Sequence, residues 1–465
     1  MKKLTSEDML VANAKCIHMI GIGGSGMCPL AEILHSKGYK LTGSDNNESD
    51  PLARIRSLGI EVVMGHRPEN VHGADLIVYS AAIAKDNPEL VEADRLGIPT
   101  MERSHLLGAL TRHYDKVIGV CGTHGKTTTT SIITQILIMA SYDPTAVIGG
   151  KLPLINANGI AGKSEYMVCE SCEFVDTFLQ MSPDMSVLLN IDNDHLDYFK
   201  TMERLTESFE RFVGMSRIAV LNGDDERVRG IGERFGGEAI FFGLGEGNKY
   251  TARNIVPDKK GMDFEILRDG EHAADIKLAI PGKHNVYNAL AAFAAAERCG
   301  VDADTAAAAI NAFGGAGRRF ERLGEHGGIA VADDYAHHPT EIRATLTAAK
   351  AMGYKNVIAV FQPFTFSRTE LLKNDFIDAL SIADKVILTP IMGSREINTS
   401  GISSADIAAG LKCCRLSGDF EDTARKAVDE AEEGDLIITM GGGDIYKAAR
   451  IIISMLDGKK NAADS

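Results

Sequence analysis

At 465 residues the chain is too long for one ordinary core, so two or three domains are expected. Its 45% hydrophobic and 24% charged content is that of a globular chain, and a net charge of −15 argues against a broad nucleic-acid footprint. The apolar runs are strand-length or broken by glycine and charge, which predicts no transmembrane helix, and Met1 to Leu10 lacks the apolar core of a signal peptide.

In chain order, Cys16 to Ile20 reads as a short strand running into Gly21-Ile-Gly23-Gly24-Ser25-Gly26-Met27. A helix through Leu30 to Leu34 and a strand from Lys40 to Thr42 follow, then Gly43-Ser44-Asp45. This is a Gly-x-Gly-x-x-Gly turn with an acid near the end of the second strand. The glycines let a diphosphate approach backbone at a helix start, and the carboxylate suits a ribose hydroxyl. NAD and UDP-linked ligands both meet that description, and a Rossmann-like turn with no ligand stays open beside them. Strands near Glu61–Met64 and Leu76–Tyr79 extend the αβ pattern, the second ending at Ser80.

The chain is organised around Val117 to Thr130. A β-branched run meets Gly122-Thr123-His124-Gly125-Lys126-Thr127-Thr128, and an apolar helical pattern is clear from Ser131. Backbone N–H groups from Gly122 to Lys126 suit phosphate oxygens, Lys126 a β/γ-phosphate, and the Thr127 hydroxyl a Mg²⁺ site. Val120 stands where the first glycine of the usual pattern would be. This loop predicts nucleoside triphosphate binding.

A strand at Tyr166 delivers Glu170 at its carboxyl end, and one from Ser186 to Ile191 delivers Asp192, Asp194, His195 and Asp197. Glu170 and His195 are the expected metal ligands with Thr127. Cys169-Glu-Ser-Cys172 has no second Cys-x-x-Cys, so the eight cysteines read as scattered reduced thiols.

Glu238 to Ile280 reads as short strands and hairpins with a turn at Asp269-Gly270. An Ala-rich helix then follows Pro281, with His284, Asn285 as a candidate cap, and Asn288 placed either for an adenine edge or for packing. Gly314-Gly-Ala-Gly-Arg318-Arg319 suggests a hinge with guanidinium groups. Asp333-Asp334-Tyr335-Ala-His337-His338 closes another strand, and alternating strands and helices predict a further doubly wound domain. The tail from Lys459 to Ser465 reads as disordered.

Seven motifs in order, at 21–27, 43–45, 122–128, 190–197, 317–321, 333–339 and 395–396, resemble those of the muramyl (Mur) ligase family along essentially the whole chain. The resemblance implies three α/β domains: a Rossmann-like UDP-sugar-binding domain (1–112), a central P-loop-type ATPase domain (113–315) and a Rossmann-like amino-acid-binding domain (316–465). The wording is nearest the branch that joins L-alanine to the lactyl carboxylate of UDP-N-acetylmuramate through an acyl phosphate, using ATP and Mg²⁺. A cytoplasmic bacterial setting in peptidoglycan precursor synthesis follows, with no nucleic-acid or membrane partner and a monomer or homodimer.

Residue by residue, the resemblance implies that Gly23, Gly24, Ser25, Gly26, Met27, Asp45, His66 and Ser80 hold the UDP-sugar. The 122–128 loop, His284, Asn288, Arg319 and Asp334 would serve ATP. Thr127, Glu170 and His195 would hold metal, and Tyr335, His337 and Arg368 would orient alanine. Lys126, Glu170, His195, Arg319 and His337 would carry the chemistry. Phe364 and Thr365 stand where relatives carry His and Arg, and no lysine between Lys200 and Lys249 is available for carbamoylation. Alternatives are a recycling ligase that adds a tripeptide to the same sugar and a non-catalytic UDP-sugar or nucleotide sensor. A nicotinamide-dependent dehydrogenase is weaker, because it would leave the Lys126 loop idle.

Overall fold

A computed structural model of the chain describes residues 5–258, 261–394 and 396–463. Three sheets carry it. The first contains β1 (Cys16–Ile20), β2 (Lys40–Asp45), β3 (Glu61–Met64), β4 (Leu76–Tyr79) and β5 (Thr100–Glu102), in the order β3-β2-β1-β4-β5. Every pairing in it is parallel, so all carboxyl ends share one edge. Strand order reverses beside β1, and the Gly21–Met27 loop leaves β1 at that switch point, where open α/β sheets leave a crevice.

The second sheet has ten strands. These are β6 (Lys116–Cys121), β7 (Thr145–Leu152), β8 (Ala157–Ile160), β9 (Tyr166–Glu170), β10 (Met185–Leu188), β11 (Ile218–Asn222), β12 (Glu238–Phe242), β13 (Tyr250–Asp258), β14 (Gly261–Arg268) and β15 (Glu271–Leu278). Their order is β15-β14-β13-β12-β11-β10-β6-β9-β7-β8, which puts β6 between β9 and β10, parallel to both. The third sheet, β16 (Glu321–His326), β17 (Ile329–Asp334), β18 (Val357–Phe361), β19 (Lys385–Leu388), β20 (Cys414–Leu416) and β21 (Leu436–Met440), runs β16-β17-β21-β18-β19-β20. Only its β16–β17 pairing is antiparallel.

Two compact units result. One is built on residues up to Arg253 with Glu265–Asp275 and Tyr287–Asn311; the other on Asn254–Phe264, Ile276–Val286 and the chain from Ala312. Among the described residues no helix is long and apolar enough to cross a membrane. The buried apolar runs of β1, β6, β10 and β21 are those of parallel strands covered on both faces. The hairpin turn expected at Asp269-Gly270 is present, both residues having positive φ (53° and 83°), as the right-handed twist of flanking strands requires.

Four local expectations are corrected. The central helix starts at Lys126, five residues before the apolar pattern, because Gly125 (φ +87°) breaks the turn. The β-branched threonines are then accommodated by back-bonding, Thr130 Oγ1 to Lys126 O at 2.8 Å and Thr134 Oγ1 to Thr130 O at 2.7 Å. Strand β10 stops at Leu188, and Asn190 leaves it to bind the phosphate loop instead. Asn285 is no cap: it lies inside the helix Lys283–Arg298, and its Nδ2 donates to Pro281 O at 2.6 Å. The tail is helical to Ala463, as the extension of Tyr446–Ala463, whose buried Ala448, Ala449, Ile452 and Leu456 anchor it.

Candidate active site

The phosphate loop is a turn held from below. Thr123 N donates to Asn190 O (3.1 Å), His124 N to Asn190 Oδ1 (2.8 Å), and Asn190 Nδ2 returns to His124 O (3.0 Å). His124 Nε2 lies 3.0 Å from Asp192 Oδ2. Asn288 is buried at 4% exposure, its Oδ1 accepting from Thr129 Oγ1 at 3.2 Å. A Cβ on Gly125 would fall 2.4 Å from that oxygen, so the glycine is required for space as well as for φ. Asn288 therefore packs against the loop from beneath. His284 is exposed one turn earlier on the same helix.

Lys126 Nζ donates to Gly122 O (2.6 Å) and Thr123 O (3.0 Å), and meets Glu173 Oε2 at 2.9 Å. Glu173 is only 1% exposed, and sequence reasoning missed it. Burial opposes the Lys126 charge, but the Glu173 carboxylate outweighs it and holds the ammonium pKa above its ordinary value. The signal that was available is the Glu-x-x-Glu spacing after β9.

Thr127 Oγ1 donates to Glu170 Oε2 at 2.8 Å, and Gly149 N donates to the same oxygen at 2.9 Å. A Cβ on Gly149 would sit 2.3 Å from Glu170 Oε2, so β7 carries a glycine where the carboxylate lies. A hydroxyl on the first turn of the helix Lys126–Met139, in contact with a carboxylate at the end of β9, makes a set of hard oxygen donors, the kind Mg²⁺ selects. His195 follows β10 in a left-handed conformation (φ 57°), its Nε2 3.6 Å from Asp194 Oδ2 and its ring 4.8 Å from that of Phe174. Phe174 is followed by Val175 and Asp176, both left-handed, an unusual cost for non-glycine residues. Asp176 accepts from Tyr198 Oη at 2.9 Å and from Ser208 Oγ, which fixes the strained turn. Burial, then Glu173, push the Cys172 thiol up to about 11, which disfavours the thiolate that a metal or redox Cys-x-x-Cys needs.

In the first sheet Gly23 N donates to Asp45 Oδ2 at 2.9 Å, so the acid after β2 is already engaged with the glycine loop. His66 Nδ1 lies 3.1 Å from both Ser44 Oγ and the fully buried Glu89 Oε2. Asn70 Nδ2 and Ser44 Oγ also donate to Glu89. Desolvation would raise the Glu89 pKa, but the nearby His18 ring (Nε2 3.6 Å from Oε1) and the hydrogen bonds from Asn70 and Ser44 outweigh it and lower it, which favours the charged carboxylate beside His66. Ser80 lies beside the loop, its Cβ 3.7 Å from where a Gly21 Cβ would be. Met27 departs from the expected ligand contact: it is 1% exposed in the core, and its amide donates to Gly24 O. The sulfur side chain packs under the loop because the helix Cys28–Ser36 starts directly after it.

The second unit brings together Arg318, Arg319, Asp333, Asp334, Tyr335 and His337. Arg318 is consumed structurally, donating to Asp333 Oδ2 (2.9 Å), Gly443 O (2.8 Å) and Gly441 O (2.7 Å). Arg319 lies over the Tyr335 ring at 5.1 Å, with Glu341 Oε1 3.9 Å from its Nη1. Asp334 accepts from Phe320 N (2.7 Å) and Ala336 N (2.6 Å); burial raises its carboxyl to about 6 against the pull of Arg319. His337 Nδ1 is 3.1 Å from Tyr335 O. A carbonyl can only accept, so Nδ1 is the donor here, with Glu341 Oε2 a second acceptor 3.3 Å away, and Nε2 is the ring nitrogen turned from both. Arg368 is half-buried on the short helix Phe366–Leu371. Thr365 is the N-cap of that helix, and Phe364 stands edge-on to His337 at 6.0 Å, which gives both substituted positions a local role. Arg395 lies outside the described residues, while Glu396 accepts from Ser367 N at 2.8 Å.

Residues 16–115, 120–296 and 318–443 match, in turn, family models described as Mur ligase family, catalytic domain; Mur ligase middle domain; and Mur ligase, glutamate ligase domain. A UDP-N-acetylmuramate–L-alanine ligase of Caldicellulosiruptor bescii is 44% identical over 442 residues, covering 93% of this chain and 97% of its own length. Among solved structures, a UDP-N-acetylmuramate-alanine ligase from Thermotoga maritima superposes with a TM-score of 0.83 at 29% identity, over 96% of this chain and 100% of its own. A murein peptide ligase from Psychrobacter arcticus shares the fold at a TM-score of 0.74 and 24% identity, over 95% of this chain and 99% of its own. By its sheets, its strand-end chemistry and these matches, the chain belongs to the Mur ligase family.

Proposed function

We infer that the chain is an ATP-dependent ligase that joins L-alanine to the lactyl carboxylate of UDP-N-acetylmuramate, releasing ADP and phosphate. The observation that carries the ATP half is the pair of contacts Lys126–Glu173 and Thr127–Glu170 on one phosphate loop. The sugar and amino-acid half rests on the 44% identity to a ligase of that name. The three sheets are read as a UDP-sugar domain (1–112), an ATP domain (113–315) and an amino-acid domain (316–465).

A carboxylate resists amine attack because it is anionic and has no leaving group. Transfer of the γ-phosphoryl to a carboxylate oxygen breaks the bond to ADP and makes an acyl phosphate. The amine then attacks the acyl carbon, and phosphate departs as the amide forms. Lys126 and the amides of Gly125 and Lys126, unpaired among the described residues, would place positive charge where the β- and γ-phosphate oxygens would sit. Thr127, Glu170 and His195 would hold Mg²⁺, which would neutralise charge shared by the β- and γ-phosphates. By the family resemblance Arg319 would serve the phosphates of ATP. Only a neutral amine attacks, and His337 would accept the ammonium proton. Tyr335 and Arg368 would bind the alanine carboxylate side. None of the eight cysteines is in a disulfide, which suits a reducing cytoplasm.

The test is phosphate release with ATP, Mg²⁺ and UDP-N-acetylmuramate, L-alanine and the tripeptide being supplied separately and products weighed by mass spectrometry. Turnover with alanine and a gain of one alanyl residue is expected. Turnover with tripeptide alone would move the enzyme to recycling, and binding without turnover would make it a sensor.

A further inference from the structure

The phosphate loop takes up the carboxyl edge of the second sheet and leaves the amino edge unused. There a cavity of about 250 Å³ opens among the starts of β6, β9, β10 and β11 and the carboxyl end of the helix Lys283–Arg298. That is about eight water molecules' share of liquid volume, room for one small metabolite. Val117, Ile118, Met185 and Ile218, all buried, give it an apolar floor. Burial pushes the Cys299 thiol in its wall up to about 12, so this thiol stays neutral and is no metal or redox ligand.

The polar lining holds four charged side chains. Two are committed. Lys116 Nζ meets Glu165 Oε1 at 2.6 Å and Tyr166 Oη at 3.1 Å, and Arg298 donates to Glu238 through Nε (2.9 Å) and Nη2 (2.8 Å). The other two are not. Among the described residues neither the Arg217 guanidinium nor the Asp184 carboxylate makes a hydrogen bond, and the pair meets only at 3.4 Å, Nε to Oδ1. Backbone holds the two side by side, Asp184 N donating to Val117 O (2.9 Å) and Arg217 N to Asp184 O (3.0 Å). The cavity therefore offers one uncommitted acceptor and one uncommitted fork of donors, of opposite sign, next to an apolar floor. An anion alone would meet the repulsion of Asp184, and a cation alone that of Arg217. A zwitterion with an apolar side chain satisfies both charges and the floor together, and a side chain as small as that of alanine would leave most of the volume empty.

We propose that this cavity is a regulatory site for an α-amino acid with a branched apolar side chain, its carboxylate on Arg217 and its ammonium on Asp184. Two elements connect the cavity to the phosphate loop. Strand β6 begins in the cavity at Lys116 and ends at Cys121, directly before Gly122. The helix Lys283–Arg298 ends in the cavity and carries Asn288, which packs beneath Gly125. The site does not depend on which substrates the ligase joins.

Calorimetric titration of the full chain with L-leucine in the presence of saturating L-alanine tests this. Isocaproate, which lacks the ammonium, and isoamylamine, which lacks the carboxylate, are the controls. L-leucine is expected to bind roughly tenfold more tightly than either. Asp184→Asn should remove the margin over isocaproate, and Arg217→Gln the margin over isoamylamine. Neither substitution breaks a hydrogen bond among the described residues, and unchanged binding of a non-hydrolysable ATP analogue without leucine confirms that each variant is folded. In wild type, leucine should change the affinity for that analogue roughly fivefold, and the analogue should change the affinity for leucine by the same factor. No binding of leucine, displacement of leucine by L-alanine, or equal leucine affinity in wild type and both variants overturns the site. Leucine affinity that is the same with and without the analogue overturns its regulatory role.

Discussion

The loops at Gly21–Met27 and Gly122–Thr128 leave the strands β1 and β6 in the same way, at the carboxyl edge of a parallel sheet with unpaired amides at a helix start. They differ in how the cation is supplied. Lys126 lies within its own loop and is already gripped by two carbonyls and the buried Glu173. Arg103 arrives from the end of another strand and has no counter-ion among the described residues. A site that must stabilise charge moving through a transition state gains from a cation fixed beforehand, even though a resident carboxylate weakens its net pull on the ground state. A site that only retains a diphosphate through turnover gains from an uncompensated charge. The difference separates a loop built for chemistry from one built for holding.

The largest effect expected from breaking this contrast is at Lys126. Lys126→Ala should lower kcat roughly 10³-fold, about 4 kcal/mol, while the KM for UDP-N-acetylmuramate stays within about threefold. Steady-state phosphate release measures both. A rise in that KM equal to the fall in kcat would mean that the two loops do not divide the work.

Glu173→Gln comes next. It leaves a mostly buried ammonium without its counter-ion and should cost about 3 kcal/mol of stability by urea unfolding. The Lys126 pKa is raised in the folded state, so the contribution of the pair is fully present below the unfolded value of 10.5 and is lost as pH rises through the folded value. Wild type should therefore lose stability above about pH 10.5 more steeply than Glu173→Gln does. Equal alkaline slopes would show that Glu173 does not anchor Lys126.

What the sequence made legible follows the same division. Three α/β layers, the two glycine loops, Lys126, Glu170 and the Asp269-Gly270 turn are local in sequence, because turn chemistry and strand-end position need only a few consecutive residues. Glu173, Arg103 and Glu341 were not legible. Glu173 is one of 64 acidic residues, and only its burial against Lys126 distinguishes it. Arg103 acts through Gly26, a neighbour that only the path of the chain supplies. Met27 shows the converse: motif position placed it at the ligand, and its side chain is packed in the core beneath the loop.

The same substitution in each loop gives the finest comparison. Gly125→Ala should cost about 2 kcal/mol and raise the KM for ATP about tenfold. Its φ of +87° is left-handed, and the new Cβ would sit 2.4 Å from the buried Asn288 Oδ1, which Thr129 holds in place. Gly26→Ala meets neither obstacle. Gly26 has no left-handed φ, and the nearest atom, Arg103 Nη1 at 3.2 Å, is the far end of a flexible side chain that can move by a few tenths of an ångström. Its stability should change by about 0.5 kcal/mol or less, while UDP binds about threefold more weakly because the guanidinium is pushed off the amides. Thermal unfolding and UDP titration of the two alanine variants side by side read both effects. Equal destabilisation would mean that Arg103 is as rigidly committed as Asn288 and that the first loop, too, is fixed before its ligand arrives.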